Sequence, residues 1–409
     1  MHPETTFPER ISPERTFDVI VVGGGPAGAT AATDLARLGR SVLLLDRAGR
    51  IKPCGGAIPP RAIDRFAIPL SLLVARIDCA RIVSPKGRKV DIGIEGGFVG
   101  MVDRDVFDEW LRDRAARVGA LRASGTFVQL EEEPDGLVRV LWRAKGAPAA
   151  APLASARARI VIGADGANSA VARQAIPEAA DKRFVFAYHE VCERPPDGLA
   201  DYGDGRCDVL YDGRLSPDFY SWLFPHGATF SIGTGSAAKG FPLRESVAAY
   251  RRRMGLDTVR TIRREGAPIP LRPLRRWDNG RNVLLAGDAA GVVAPASGEG
   301  IFYAMEGGRF AAEAAEEALA SGDARALARA RQRFMRAHGA VFWILGIMQR
   351  YWYGSDDRRE RFVAICRDKD VQELTFDAYM NKELVKARPL AHVRIFFKNL
   401  AHLSGLVPA

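Results

Sequence analysis

Gly23, Gly25 and Gly28 stand at the G-x-G-x-x-G spacing, and that spacing has its own chemistry. The first glycine permits a tight turn, the second lets backbone approach a pyrophosphate, and the third lets a helix pack closely on a strand. Asp46 ends the next apolar run, where a carboxylate can hold a ribose hydroxyl. Cys54 sits in a stiff loop, Lys52-Pro-Cys-Gly-Gly-Ala57, in which backbone can approach a flat ligand. Two further short motifs follow apolar runs: Gly163-Ala-Asp165-Gly166 and Gly287-Asp288. Tyr220, Trp222 and Phe224 alternate, so on a strand their rings share one face.

The elements that must position these residues follow from the pattern around them. Val19 to Val22 is a β-branched run suited to a strand buried on both faces. Ala27 to Leu38 reads as the following helix, whose N-terminal N–H groups and dipole favour a pyrophosphate. Gly39 closes it, and Ser41 to Leu45 is the second strand. Strand, glycine loop, helix, strand and acid in that order predict a dinucleotide site. Arg81 to Ile94 reads as a hairpin, and Val106 to Val118 as a helix capped by Asp103. From Phe184 to Gly235 the pattern turns β-rich, which predicts a second, antiparallel sheet in a separate lobe. Val283 to Ala286 returns to the buried-strand pattern, and Gly298-Glu299-Gly300 opens a helix running to about Ala320.

The expected fold class is α/β: a discontinuous Rossmann-type domain, an antiparallel substrate lobe and a helical C-terminal region. The expected boundaries are 17–80, 100–180 and 278–325 for the first, 81–99 and 181–277 for the second, and 326–409 for the third.

Composition narrows the class. A chain of 409 residues with 26% charged residues fits a globular protein of two or three lobes. Its charge is basic, 59 Lys and Arg against 49 Asp and Glu, without any nucleic-acid-binding motif. That balance suits an anionic substrate, an acidic redox partner or an anionic membrane surface better than nucleic acid. The five cysteines form no C-x-x-C pair, which argues against a disulfide reductase and a zinc site. An odd, scattered set suits a reducing compartment, so the expected location is cytoplasmic. Met1 to Thr16 has no apolar core, so it does not read as a signal peptide, and its three glutamates weigh against a transit peptide.

The ordered set of glycine loop, Gly163-Ala-Asp-Gly166 and Gly287-Asp288 resembles flavoproteins of the para-hydroxybenzoate hydroxylase fold. Lys52-Pro-Cys-Gly-Gly-Ala57 and Pro217-Asp-Phe-Tyr220-Ser-Trp222-Leu-Phe224-Pro225 narrow the likeness to the geranylgeranyl reductases. Ser297-Gly-Glu-Gly-Ile301 and Lys386-Ala-Arg-Pro are similar to the same family, in the branch acting on chlorophyll or bacteriochlorophyll precursors. Gly291 stands where the hydroxylases often carry His, which disfavours oxygen-activating chemistry.

The resemblance implies FAD held by Gly23, Gly25, Gly28, Asp46, Arg47, Cys54, Gly55, Gly56, Arg104, Asp165, Gly166, Gly287, Asp288, Gly298, Glu299, Gly300 and Ile301. It implies reduction of isolated C=C bonds in a geranylgeranyl group, on a diphosphate or a pigment ester. NADPH is the implied donor, with ferredoxin the alternative. Tyr220, Trp222 and Phe224 would line a polyprenyl site. An isolated alkene accepts hydride poorly, so the site must supply a proton as charge develops. Cys54 is the expected donor, since a thiol of pKa about 8.5 is mostly protonated at neutral pH. A positional role for Cys54 and donation by Tyr220 are the alternatives. The rival functions are a flavin monooxygenase and a prenyl or pigment carrier without turnover. Lys386 to Val407 has an apolar stripe with basic residues largely away from it. It suits either a last packed helix or peripheral contact with the photosynthetic membrane.

Overall fold

A computed structural model describes residues 11–372, apart from 95–96 and 196–202; the tail at 386–407 lies outside the described residues. Five strands run parallel, in the order Leu121–Glu132, Val42–Asp46, Thr16–Val22, Ala154–Gly163, Val283–Leu285. The four strands from Val42–Asp46 to Val283–Leu285 carry near-continuous apolar runs because helices cover the sheet, whereas Leu121–Glu132, outermost of the five, is mixed and largely exposed. Val138–Ala144 pairs antiparallel with both Leu121–Glu132 and the start of Ala154–Gly163.

This topology explains why the motifs are far apart in sequence. Gly23, Asp46, Gly163-Ala-Asp165-Gly166 and Gly287-Asp288 each follow the C-terminal end of a parallel strand, so all reach one edge of the sheet. Ligands of open α/β sheets bind at that edge. The Pro26–Arg37 helix packs there against the Ile301–Ser321 helix, both rich in alanine and glycine, which permits close approach.

The second sheet has seven strands, ordered Thr261–Pro270, Phe184–Glu193, Thr229–Ser236, Ser221–His226, Arg206–Leu210, Cys79–Val83, Lys89–Gly93. The 81–94 hairpin thus joins this sheet. Its junction with Arg206–Leu210 is parallel, while every other pair is antiparallel. Those two strands come from distant chain segments, so no hairpin turn dictates their direction. Thr261–Pro270 escaped sequence reading because Gly266, Pro268 and Pro270 resemble a loop; as an edge strand it tolerates them. A small sheet of Ala57–Ile58, Val99–Val102 and Leu73–Ile77 bridges the two.

Two functional stretches are tied together beneath this edge. The Pro60–Arg65 helix follows the Cys54 loop, and its Arg65 Nε lies 2.5 Å from Glu306 of the Ile301–Ser321 helix. Burial alone would raise the Glu306 carboxyl; His338, Arg309 and Arg65 outweigh it and hold it at about 2. A depressed carboxylate stabilises the fold above its unfolded pKa of about 4.3, and that stability is lost as pH falls toward 2. Glu306→Gln is expected to lower the urea midpoint at pH 7 and to flatten the stability–pH curve below pH ~4.3. An unchanged curve would show that the cluster does not couple to folding.

Candidate active site

The glycine loop is held open by contacts that its sequence predicts. Gly23 has φ +107°, and a Cβ there would lie 2.3 Å from the Ala164 carbonyl oxygen. A Cβ on Gly28 would lie 1.8 Å from the Gly23 carbonyl oxygen, so the helix can start only where no side chain intervenes. At Gly25 a Cβ would meet nothing within 4 Å: this backbone faces open space at the N-terminus of the Pro26–Arg37 helix. The groove in front of it, about 460 Å³, is lined by Gly23, Gly25, Asp46, Arg47, Asp165, Gly166 and Asp288. Gly28 and Gly287 stand behind it as packing residues, Gly287 against Ala27. An uncrowded glycine at a helix N-terminus, inside a groove of this size, fits the pyrophosphate of FAD.

Several acids here also organise the loop. Asp46 accepts the Gly24 N–H at 2.8 Å through one oxygen and the Ala48 N–H at 2.9 Å through the other. Arg112 reaches the Gly24 carbonyl at 3.3 Å and Asp46 at 3.5 Å. Sequence reasoning missed Arg112; its position two helical turns after Arg104, on the same face, was the available signal. Asp165 accepts from the Ser169 hydroxyl at 2.5 Å and the Ala170 N–H at 2.6 Å, anchoring the Ala170–Ala175 helix. Asp288 pairs with Lys52, which reaches across from the Cys54 loop.

Beyond Asp288 the groove opens into a second cavity of about 170 Å³, and Lys52, Pro53 and Asp288 line both. Cys54, Gly55, Gly56 and Arg104 stand on one side of it, with Gly298, Glu299, Gly300 and Ile301 also in its lining. Tyr220, Trp222 and Phe224 complete the wall, neighbouring ring centroids 6.0 and 6.3 Å apart.

The Cys54 loop is clamped from two sides. Arg104 is buried beside the thiol and forms a two-pronged pair with Asp108, both contacts 2.8 Å. Burial would lower the Arg104 pKa, but its ion pair with Asp108 raises it above its ordinary value, so it stays charged. Gly56 donates its N–H to the Cys54 sulfur at 3.4 Å. His226 bridges the Gly55 carbonyl (Nε2, 3.0 Å) and the Asp103 carboxylate (Nδ1, 3.1 Å). Asp103 therefore occupies the N-cap position of the Arg104–Arg117 helix, yet its side chain serves the histidine and does not cap the helix. Tyr220 donates its hydroxyl proton to the Ser297 carbonyl at 2.5 Å, and burial pushes its pKa up. That proton is committed to the backbone of the 297–301 loop.

Comparison with known proteins decides the family. A model of FAD-dependent oxidoreductases matches residues 18–58. The chain is 58% identical over 392 residues to the geranylgeranyl diphosphate reductase of Rhodobacter capsulatus, covering 96% of this chain and 98% of that one. It belongs to the geranylgeranyl diphosphate reductase family. As a member of that family it is an FAD-dependent oxidoreductase. The Synechocystis geranylgeranyl diphosphate reductase is 35% identical over 399 residues, 94% of this chain and 97% of that one. A solved geranylgeranyl bacteriochlorophyll reductase-like protein from Thermoplasma acidophilum shares the fold, with a TM-score of 0.78 at 22% identity, covering 92% of this chain and all of that one.

A side chain at Gly291 has no room, since a Cβ would lie 2.4 Å from the Arg272 carbonyl oxygen. Among the described residues no cluster suits a metal ion, and no helix is long and apolar enough to cross a membrane.

Proposed function

We propose that this protein reduces isolated double bonds of a geranylgeranyl group toward phytyl, using FAD re-reduced by NADPH, in (bacterio)chlorophyll formation. The observation that carries the reading is the cavity itself. It sets an apolar aromatic wall beside the Cys54 loop, and it shares lining residues with the dinucleotide groove. When bound, reduced FAD supplies a hydride to one alkene carbon.

The chain's residues supply the rest. Gly25 and the N-terminus of the Pro26–Arg37 helix bind the pyrophosphate, and Asp46 and Asp288 hold hydroxyls of the cofactor. The aromatic row holds the alkene and keeps water out. Cys54 gives its thiol proton to the second alkene carbon and recovers it from solvent. Tyr220, its proton turned to Ser297, is the weaker candidate for that role. Arg104 and His226 keep the Cys54 loop in place.

The proposed acceptors are the free diphosphate and the pigment ester, and ferredoxin is the alternative donor. The test is mass analysis of prenyl products from purified protein with FAD and NADPH, offered each acceptor in turn. A gain of two hydrogens per reduced bond is expected with at least one of them. Unchanged prenyl chains with both, under either donor, would refute the reading.

A further inference from the structure

Behind the aromatic wall lies a buried polar chain that the reaction itself does not use. Glu265, His189, Gly233 and Trp222 stand in one row across four neighbouring strands. The indole lies across Gly233: a Cβ there would be 2.3 Å from Trp222 Cζ2 and 2.6 Å from His189 Cβ. Only glycine lets the ring occupy this seat.

Hydrogen bonds then fix the ring's direction. Trp222 Nε1–H, a donor only, gives its proton to Ser231 Oγ at 3.2 Å. The Glu265 carboxylate only accepts, so the neutral His189 ring carries its proton on Nε2 toward it, 3.1 Å away, and Nδ1 is left to accept the Ser231 hydroxyl proton at 2.8 Å. The Arg263 guanidinium lies 3.0 Å from Glu265 and holds the end of the chain. From Trp222 through Ser231 and His189 to Glu265 each donor has one acceptor, and buried hydrogen bonds linked in this way hold their members in place. His189 lines the cavity, yet both its nitrogens are engaged, so it has no proton to give a substrate.

We infer that His189, Ser231 and Glu265 are positioning residues that lock the Trp222 indole, and that the locked indole sets how a prenyl chain is presented for successive reductions. This rests on the prenyl-reductase reading above. The cavity of about 170 Å³, part of whose lining also faces the proposed flavin site, is smaller than the ~300 Å³ at which ligand pockets usually begin, so its walls enclose only part of a long prenyl chain at once. Successive double bonds must therefore slide past a wall whose shape does not change. A loosened indole admits the chain in several registers, and later bonds miss the reacting position.

The test compares His189→Phe, which keeps a ring but deletes the Nδ1 acceptor, with Glu265→Gln, whose amide oxygen still accepts the Nε2–H. Ser231→Ala, which cuts the chain at its middle, is read in place of His189→Phe should that variant not fold. The expected result for His189→Phe is a KM for the prenyl acceptor raised about tenfold, the effect of losing one or two buried hydrogen bonds, with kcat changed far less. Partly reduced prenyl products accumulate, and tryptophan emission shifts to the red relative to wild type. Glu265→Gln is expected to restore the wild-type product pattern. If wild type reduces the prenyl chain fully and the cut variant gives the same products, KM and emission, the positioning role is overturned alone. If wild type reduces no prenyl acceptor, the reading of function falls first and this inference with it.

Discussion

Gly25→Val is expected to leave the protein folded and without FAD. Each glycine of the loop faces different surroundings. A Cβ at Gly25 would meet no protein atom within 4 Å, and its φ of −76° suits any residue, so the backbone there accepts a side chain. It would, however, project into the groove from the N-terminus of the Pro26–Arg37 helix, where the pyrophosphate must approach backbone N–H groups. Hydrogen bonds to charged groups contribute roughly 1.5–3 kcal/mol each, so losing two weakens FAD binding by about 10²–10⁴-fold. Gly28→Ala serves as the contrast. Its Cβ would sit 1.8 Å from the Gly23 carbonyl, so this variant is expected to lose stability as well as flavin. Flavin content by absorbance, read beside a urea melt, separates the two. Normal FAD occupancy in Gly25→Val would remove the groove as the cofactor site.

Cys54→Ala is expected to separate the two halves of the reaction. FAD binding and its reduction by the donor should persist, because the groove and the cavity each have other lining residues. Transfer to the alkene should slow by about 10²–10⁴-fold, the usual contribution of a positioned acid. Rapid mixing measures flavin reduction and product formation separately. A loss below about tenfold in the second step would assign Cys54 a positional role and return Tyr220 to consideration. Cys54 is held by Arg104, itself buried with Asp108, so Asp108→Ala would disturb the same step indirectly and cannot replace this test.

Much of this arrangement is legible in the amino-acid sequence. The glycine loop is local: spacing within one strand–loop–helix unit dictates its turn and its close packing. The alternation of Tyr220, Trp222 and Phe224 is local too: the Ser221–His226 strand and the residue just before it place all three in one wall. What spacing does not carry is pairing between distant segments. Lys52 with Asp288, His226 with Asp103 and Gly55, and His189 with Ser231 and Glu265 join residues 42 to 236 positions apart, through sheet topology. His189 and His226 are lone histidines in the sequence, and each makes hydrogen bonds through both ring nitrogens in the fold. Their consequence appears only when their partners turn out to be the aromatic wall and the Cys54 loop. The parallel junction between Arg206–Leu210 and Cys79–Val83 is equally hidden in the sequence, because no turn connects the two strands.

The central claim is that electrons stored on the flavin pass to a prenyl double bond without oxygen. It is tested most directly by reducing the protein-bound FAD anaerobically, adding geranylgeranyl diphosphate or the pigment ester, and following flavin absorbance while sampling the prenyl chain. The account predicts that the flavin reoxidises in the sealed cell and that each equivalent reoxidised adds two hydrogens to the chain. Flavin that stays reduced until air is admitted, beside an unaltered prenyl chain, would contradict it.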